Sequence, residues 1–194
     1  MRGQSSTENR VKNICFVANF EKTFVFDKVA DQLILLDTNV EIFWIVVNNK
    51  LFNFYRPTVQ TTLNVINGIA LYSSINNTVN LNANFINNFV VNATNTGAYI
   101  YGILQNSGTG TINLTNNVIS LGGDIPTKYL YGAYFSSQDG NKLNAFYNTI
   151  NLFGKSTLTN SYAYSLYVPA SYGNAKNIQN NMLVNTRSNA STTA

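Results

Sequence analysis

Residues 112–121, INLTNNVISL, have three further copies in the chain: VNLNANFINN from Val79, LNAFYNTINL from Leu143 and KNIQNNMLVN from Lys176. Aligned, they place Asn84, Asn117, Asn148 and Asn181 in one column, at intervals of 33, 31 and 33 residues. Two positions on stand Ile86, Ile119, Ile150 and Leu183; three positions before the Asn stand Leu81, Leu114, Ala145 and Ile178. A fixed period of this length means stacked units, each too small to bury its own apolar face and completed by its neighbours.

Inside a unit the apolar positions alternate, as in Ile112-x-Leu114, and do not recur at three and four, so the elements are strands. Thirty-odd residues with two or three short strands and no helical stretch make one coil of a solenoid. Coils stack about 4.8 Å apart, which sets each position above its equivalent. The expected fold is therefore all-β, a right-handed parallel β-helix of about four coils. The Ile86/Ile119/Ile150/Leu183 column should be interior. The Asn84, Asn117, Asn148 and Asn181 column should form a structural ladder at a sharp corner, where Asn can adopt the left-handed conformation and its amide can bond its equivalents above and below. A leucine-rich repeat is the competing architecture, since INLTNNVISL also fits L-x-L-x-x-N-x-I. The long period, the missing leading Leu and the lack of a helical segment argue against it.

The first half of each unit recurs too. YIYGILQ from Tyr99, YLYGAYF from Tyr129 and YAYSLYV from Tyr162 follow one another at 30 and 33 residues, with INGIALY from Ile66 as a copy lacking the tyrosines. Stacking makes two aromatic columns: Tyr99, Tyr129 and Tyr162, then Tyr101, Tyr131 and Tyr164. Facing outward, they would offer rings to sugar faces while nearby Asn and Ser side chains bond hydroxyls. The plainer reading has the rings stacking only on one another. Both parities of these strands mix apolar and small residues, so their orientation stays open.

Composition narrows the chemistry. Asn accounts for 33 of 194 residues and charged residues for only 10%, well below the usual quarter. The net charge of +4 is spread without a Lys or Arg run, so no nucleic-acid partner is expected. One Cys and no His remove disulfide frameworks, the usual metal clusters and Ser-His or Cys-His nucleophiles. No metal site, cofactor or membrane span is expected, because no apolar run reaches spanning length. Beyond residue 60 the only acids are Asp124 and Asp139, which fit turns in GGDIP and QDGN better than a carboxylate pair. The sequons at Asn76, Asn92, Asn113 and Asn189 are what an Asn- and Thr-rich chain shows by chance.

Residues 1–60 differ in character. Here lie short apolar runs, ICFVANF, TFVFDKV, LILLD and EIFWIVV, broken by turn signals and read as strands. A helix over 27–36 is the alternative. The segment is taken as an N-terminal cap or as atypical coils, 61–189 as the repeats and 190–194 as a loose tail. TRSNASTTA, from Thr186, carries no apolar pattern and is expected to be unstructured.

YGILQNSGTGTINLTNNVIS (101–120) resembles the Y-G-I-Y, Gly/Ser turn, T-I-N-I-x-N-N-T-I units of parallel β-helix repeats in secreted and surface proteins of Bacteroidetes, within the pectate-lyase-like superfold. The resemblance covers about 61–189. It implies an extracellular or cell-surface location and a longer parent protein. The function expected is a non-catalytic module, a structural stalk or adhesin with polysaccharide or surface glycan as partner. The alternative is a fragment of a polysaccharide lyase or glycoside hydrolase whose catalytic acids lie outside this chain.

Overall fold

A computed structural model describes residues 24–27, 32–35, 44–47, 50–60, 64–71, 78–93, 98–106, 110–136, 142–171 and 175–190. Among them the regular elements are all strands: β1 (Phe24–Asp27), β2 (Gln32–Leu35), β3 (Trp44–Val47) and β4 (Lys50–Gln60). The chain continues with β5 (Asn64–Leu71), β6 (Thr78–Asn82) and β7 (Phe85–Ala93), then β8 (Ala98–Gln105), β9 (Thr111–Thr115) and β10 (Val118–Gly122). After these come β11 (Thr127–Phe135), β12 (Lys142–Phe146) and β13 (Thr149–Phe153), and finally β14 (Tyr162–Tyr167), β15 (Ala175–Gln179) and β16 (Met182–Asn185). From β2 on, every third strand joins the same sheet, and β1 adds beside β2, giving the orders β1-β2-β5-β8-β11-β14, β3-β6-β9-β12-β15 and β4-β7-β10-β13-β16. All neighbours are parallel except β1, which runs antiparallel along β2. This is a three-sided parallel β-solenoid. The solenoid makes about three turns, against the four expected; side chains are described in most of β5 to β16, and β2 to β4 extend the same sheets. Strands β1 and β2 occupy parts of 27–36, where a helix was the alternative, and the run ICFVANF lies outside the described residues.

The repeat columns fall in register. Ile86, Ile119, Ile150 and Leu183 are Cα partners in succession, as are Leu81, Leu114, Ala145 and Ile178. The first three of each column are buried, and alternation in β9 and β12 sends their intervening residues outward. Each buried Ile or Leu contributes about 1.5–3 kcal/mol.

The corner between the second and third sheets holds the Asn ladder. Asn117 Nδ2 donates to Asn148 Oδ1 (2.9 Å) and to the Leu81 carbonyl (2.8 Å), and its backbone N–H donates to the same Oδ1 (3.0 Å). The pattern repeats from Asn84 to Asn117 and from Asn148 to Asn181. One expectation is corrected. The left-handed residue is not the ladder Asn but the one before it: Ala83, Asn116, Tyr147 and Asn180, with φ between 54° and 58°. The ladder Asn must point its side chain inward and its N–H along the stack, so the preceding residue makes the turn. A side chain there costs about 1–2 kcal/mol, which the buried amide bonds offset.

The polar tail is corrected as far as Ala190; residues 191–194 lie outside the described residues. Residues 186–190 are tied to the corner between β13 and β14. Thr186 N–H donates to the Leu152 carbonyl (2.9 Å), Ser188 N–H to Gly154 (3.0 Å) and Ala190 N–H to Leu158 (3.3 Å). Arg187 is the anchor. Nη1 donates to the carbonyls of Gly123 (2.8 Å) and Phe153 (3.0 Å), Nη2 to the Ile125 carbonyl (3.0 Å) and to Thr127 Oγ1 (2.7 Å). Burial lowers its pKa, partly offset by Asp124. Asp124 bonds across coils, its Oδ1 accepting the Lys155 N–H (3.0 Å); Asp139 lies outside the described residues. Replacing Arg187 by Ala should release the tail. Hydrogen exchange at Ser188 and Ala190 should quicken at least about tenfold, for loss of charged hydrogen bonds, with β9 and β12 unchanged.

Candidate tyrosine binding face

Strands β8, β11 and β14 settle the orientation that the sequence left open. Ile100 and Leu130 are fully buried and Ala163 packs against the core, so the flanking tyrosines point outward. Tyr99, Tyr129 and Tyr162 are partners in one column, Tyr101, Tyr131 and Tyr164 in the next. Beyond them the alternation skips. Ile103 and Ala133 face in, so Leu104, Tyr134 and Tyr167, partners in register, form a third outward column. The residue inserted at the skip is Gly102 or Gly132. Sequence reasoning missed Tyr134 and Tyr167, which sit three residues after Tyr131 and Tyr164 and so break the strand period of two.

The rings pack as a herringbone. Tyr101–Tyr131 and Tyr131–Tyr164 are stacked, with centroids 5.1 and 5.4 Å apart and planes within 5° and 11°. Tyr134–Tyr167 (5.1 Å) and Tyr129–Tyr162 (5.4 Å) are stacked as well. Between columns, Tyr134 meets Tyr131 edge-on at 5.0 Å and 71°, a geometry that suits the ring quadrupole. A ring stacked on both sides has its faces covered, and Tyr131 is 7% exposed. Open ring area gathers instead on the last coil, where Tyr162 is 51% and Tyr164 37% exposed. The plainer reading and the ligand reading thus divide the columns: inner rings serve one another, and outer rings are available to a planar partner.

Burial, and then the neighbouring phenols of Tyr101, Tyr134, Tyr164 and Tyr129, push the Tyr131 hydroxyl well above its ordinary value; burial and then Tyr167 raise Tyr134. The fold therefore holds the neutral phenols. Their contribution to stability is fully present below the ordinary phenol value of about 10, and is lost as the pH rises above it toward the folded value, because the unfolded chain ionises first. Chemical denaturation from about pH 9 to about pH 11 should show this fall, and Tyr131→Phe should make it shallower.

The adjoining sheet carries a second amide ladder that the sequence reading passed over. Asn113 Nδ2 donates to Asn80 Oδ1 (2.7 Å), Asn144 to Asn113 (2.8 Å) and Asn177 to Asn144 (2.8 Å). Its signal was the second residue of each copy (VN, IN, LN, KN). Asn113, one of the sequon residues, is engaged at both ends of its amide. Asn189, another, donates to the Ser161 carbonyl (2.9 Å) and accepts the Ser161 hydroxyl. Asn76 and the Asn92 side chain lie outside the described residues. In the other ladder Asn84, Asn117 and Asn148 are buried, and Asn181, at its end, is half-buried.

Among the described residues no group of three His, Cys, Asp or Glu comes together, and no helix is long and apolar enough to cross a membrane. No protein-family model, characterised protein or solved structure matches the chain.

Proposed function

We propose that this chain is a non-catalytic module of a secreted or cell-surface β-helix, a stalk or adhesin of the pectate-lyase-like Bacteroidetes type that its repeats resemble. The observation that carries the reading is the unbroken amide ladder from Asn84 to Asn181. It runs parallel to the main-chain ladders and is accompanied by stacked tyrosines on one face and a second Asn ladder on another. Such cross-linking from Asn84 to Asn181 stiffens a rod and leaves its sides free for display. Antibody raised against the chain should label intact cells of the native host. Labelling only after permeabilisation overturns the surface role.

A glycan-binding variant of this reading draws on the exposed rings of Tyr162 and Tyr164. Aromatic faces with amides nearby suit pyranose rings. On a glycan array, binding by the full chain that disappears in Tyr162→Ala/Tyr164→Ala supports it. No binding by the full chain leaves a spacer, and sugar release from pectin or alginate by the longer parent protein favours the lyase or hydrolase alternative.

A further inference from the structure

Coils stack through a column of small residues in the first sheet: Gly68, Gly102 and Gly132, with Ser165 in the last coil. At each glycine an added Cβ would point at the carbonyl of the coil above. It would lie 2.4 Å from Gly102 O if placed on Gly68, 2.5 Å from Gly132 O on Gly102, and 2.4 Å from Ser165 O on Gly132. Real Cβ atoms do not approach a carbonyl oxygen so closely, and that oxygen is fixed in the sheet. Absence of a side chain is thus the condition for laying the next coil in register.

Ser165 breaks that condition, since it carries a Cβ where the three coils beneath carry none. Its hydroxyl is already committed, donating to the Val184 carbonyl at 2.9 Å within the same coil, and the residue is buried. Leu183, whose column partner Ile150 would meet a Cβ on Gly132 at 2.3 Å from within the same coil, is 43% exposed, and Ile178 is 41% exposed. The last coil therefore differs from the inner ones in composition as well as in position.

We infer that Ser165 is a register stop, which blocks a further parallel coil on the first sheet whether that coil comes from the same polypeptide or from a second copy. Such a stop would protect against the uncontrolled pairing that edge strands invite. At the opposite end of the described sheet, antiparallel β1 lies along β2. Any chain continuing past residue 190 must leave the common register at this sheet. The inference rests on coil stacking alone and stands or falls separately from the stalk role.

Two experiments test it by hydrogen exchange. In the full chain, Gly132→Ser moves the stop one coil inward. The amides of β14 should lose protection at least about tenfold while β8 and β9 keep theirs; unchanged protection of β14 overturns the inference. In the second, the chain is extended after residue 190 by another copy of residues 158–190, with either Ser or Gly at 165. The Ser165→Gly version should protect the amides of β14 at least about tenfold more than the Ser version. Equal protection in the two, or none in either, overturns it.

Discussion

Asn117→Ala should cost the protein about 3–5 kcal/mol of stability, since it strips partners from more than one buried polar group at about 1–3 kcal/mol each. Asn117 is fully buried. Its Oδ1 receives both the backbone N–H (3.0 Å) and Nδ2 (2.9 Å) of Asn84, and its own Nδ2 serves the Leu81 carbonyl at 2.8 Å. Alanine cannot replace either role. Asn113→Ala removes the same chemical group from the outer ladder, where the amide is only partly buried, and should cost less than about 1 kcal/mol because water takes over the bonds. Chemical denaturation of the pair separates burial from residue type. Equal losses would mean the inner ladder is no more than a surface feature. Asn117→Asp is a second check, since a carboxylate accepts as Asn does but donates nothing to Leu81 O. Acidification, which restores a donor, should recover part of its stability.

Gly102→Ala is the second large effect, with an expected loss of about 2–4 kcal/mol, at or above the usual range for overpacking. Its added methyl would sit 2.5 Å from Gly132 O, 2.8 Å from Ile119 Cγ2 and 3.3 Å from Leu121 Cδ1. A side chain can rotate away; a carbonyl in a parallel ladder cannot, so the strand spacing itself must open. Thermal unfolding should shift down sharply and exchange in β8 and β11 should quicken together. Ala at Gly123, where open space surrounds the Cβ but φ is +98°, has a purely conformational cost, of about 1–3 kcal/mol. A Gly102→Ala protein as stable as the parent would remove the close-approach argument, and the register stop with it.

The repeat period was legible because stacking maps sequence distance onto a single spatial direction. Once Asn84, Asn117, Asn148 and Asn181 were aligned, residues with the same offset had to meet, and the interior Ile and Leu columns followed from strand parity. The first coil was harder to see. Strands β2, β3 and β4 pair in register with β5, β6 and β7. At the positions paired with Asn80, Asn82 and Asn87, however, they carry Ile45, Val47 and Phe52 rather than the Asn and Thr that mark the later copies. Asn48-Asn49 fills the same two-residue interval, between Val47 and Lys50, that Ala83-Asn84 fills between Asn82 and Phe85. That correspondence was available in the sequence and was overlooked.

By itself the sequence determined the architecture: an all-strand chain with a period near 33 and an amide at one fixed place has few ways to bury its apolar residues other than winding into coils. Tertiary structure alone decided which side of the first sheet the tyrosines occupy. Tyr99, Gly102 and Ile103 leave the parity of β8 ambiguous until Ile100 and Ile103 are seen packed inward around a skipped residue. It alone decided, too, that residues 186–190 are held, because Arg187 finds its acceptors 34 and 60–64 residues back in the chain. Local pattern encodes what alternates within a strand. Contacts made by one side chain across several coils leave no periodic trace, and only the packed molecule brings them together.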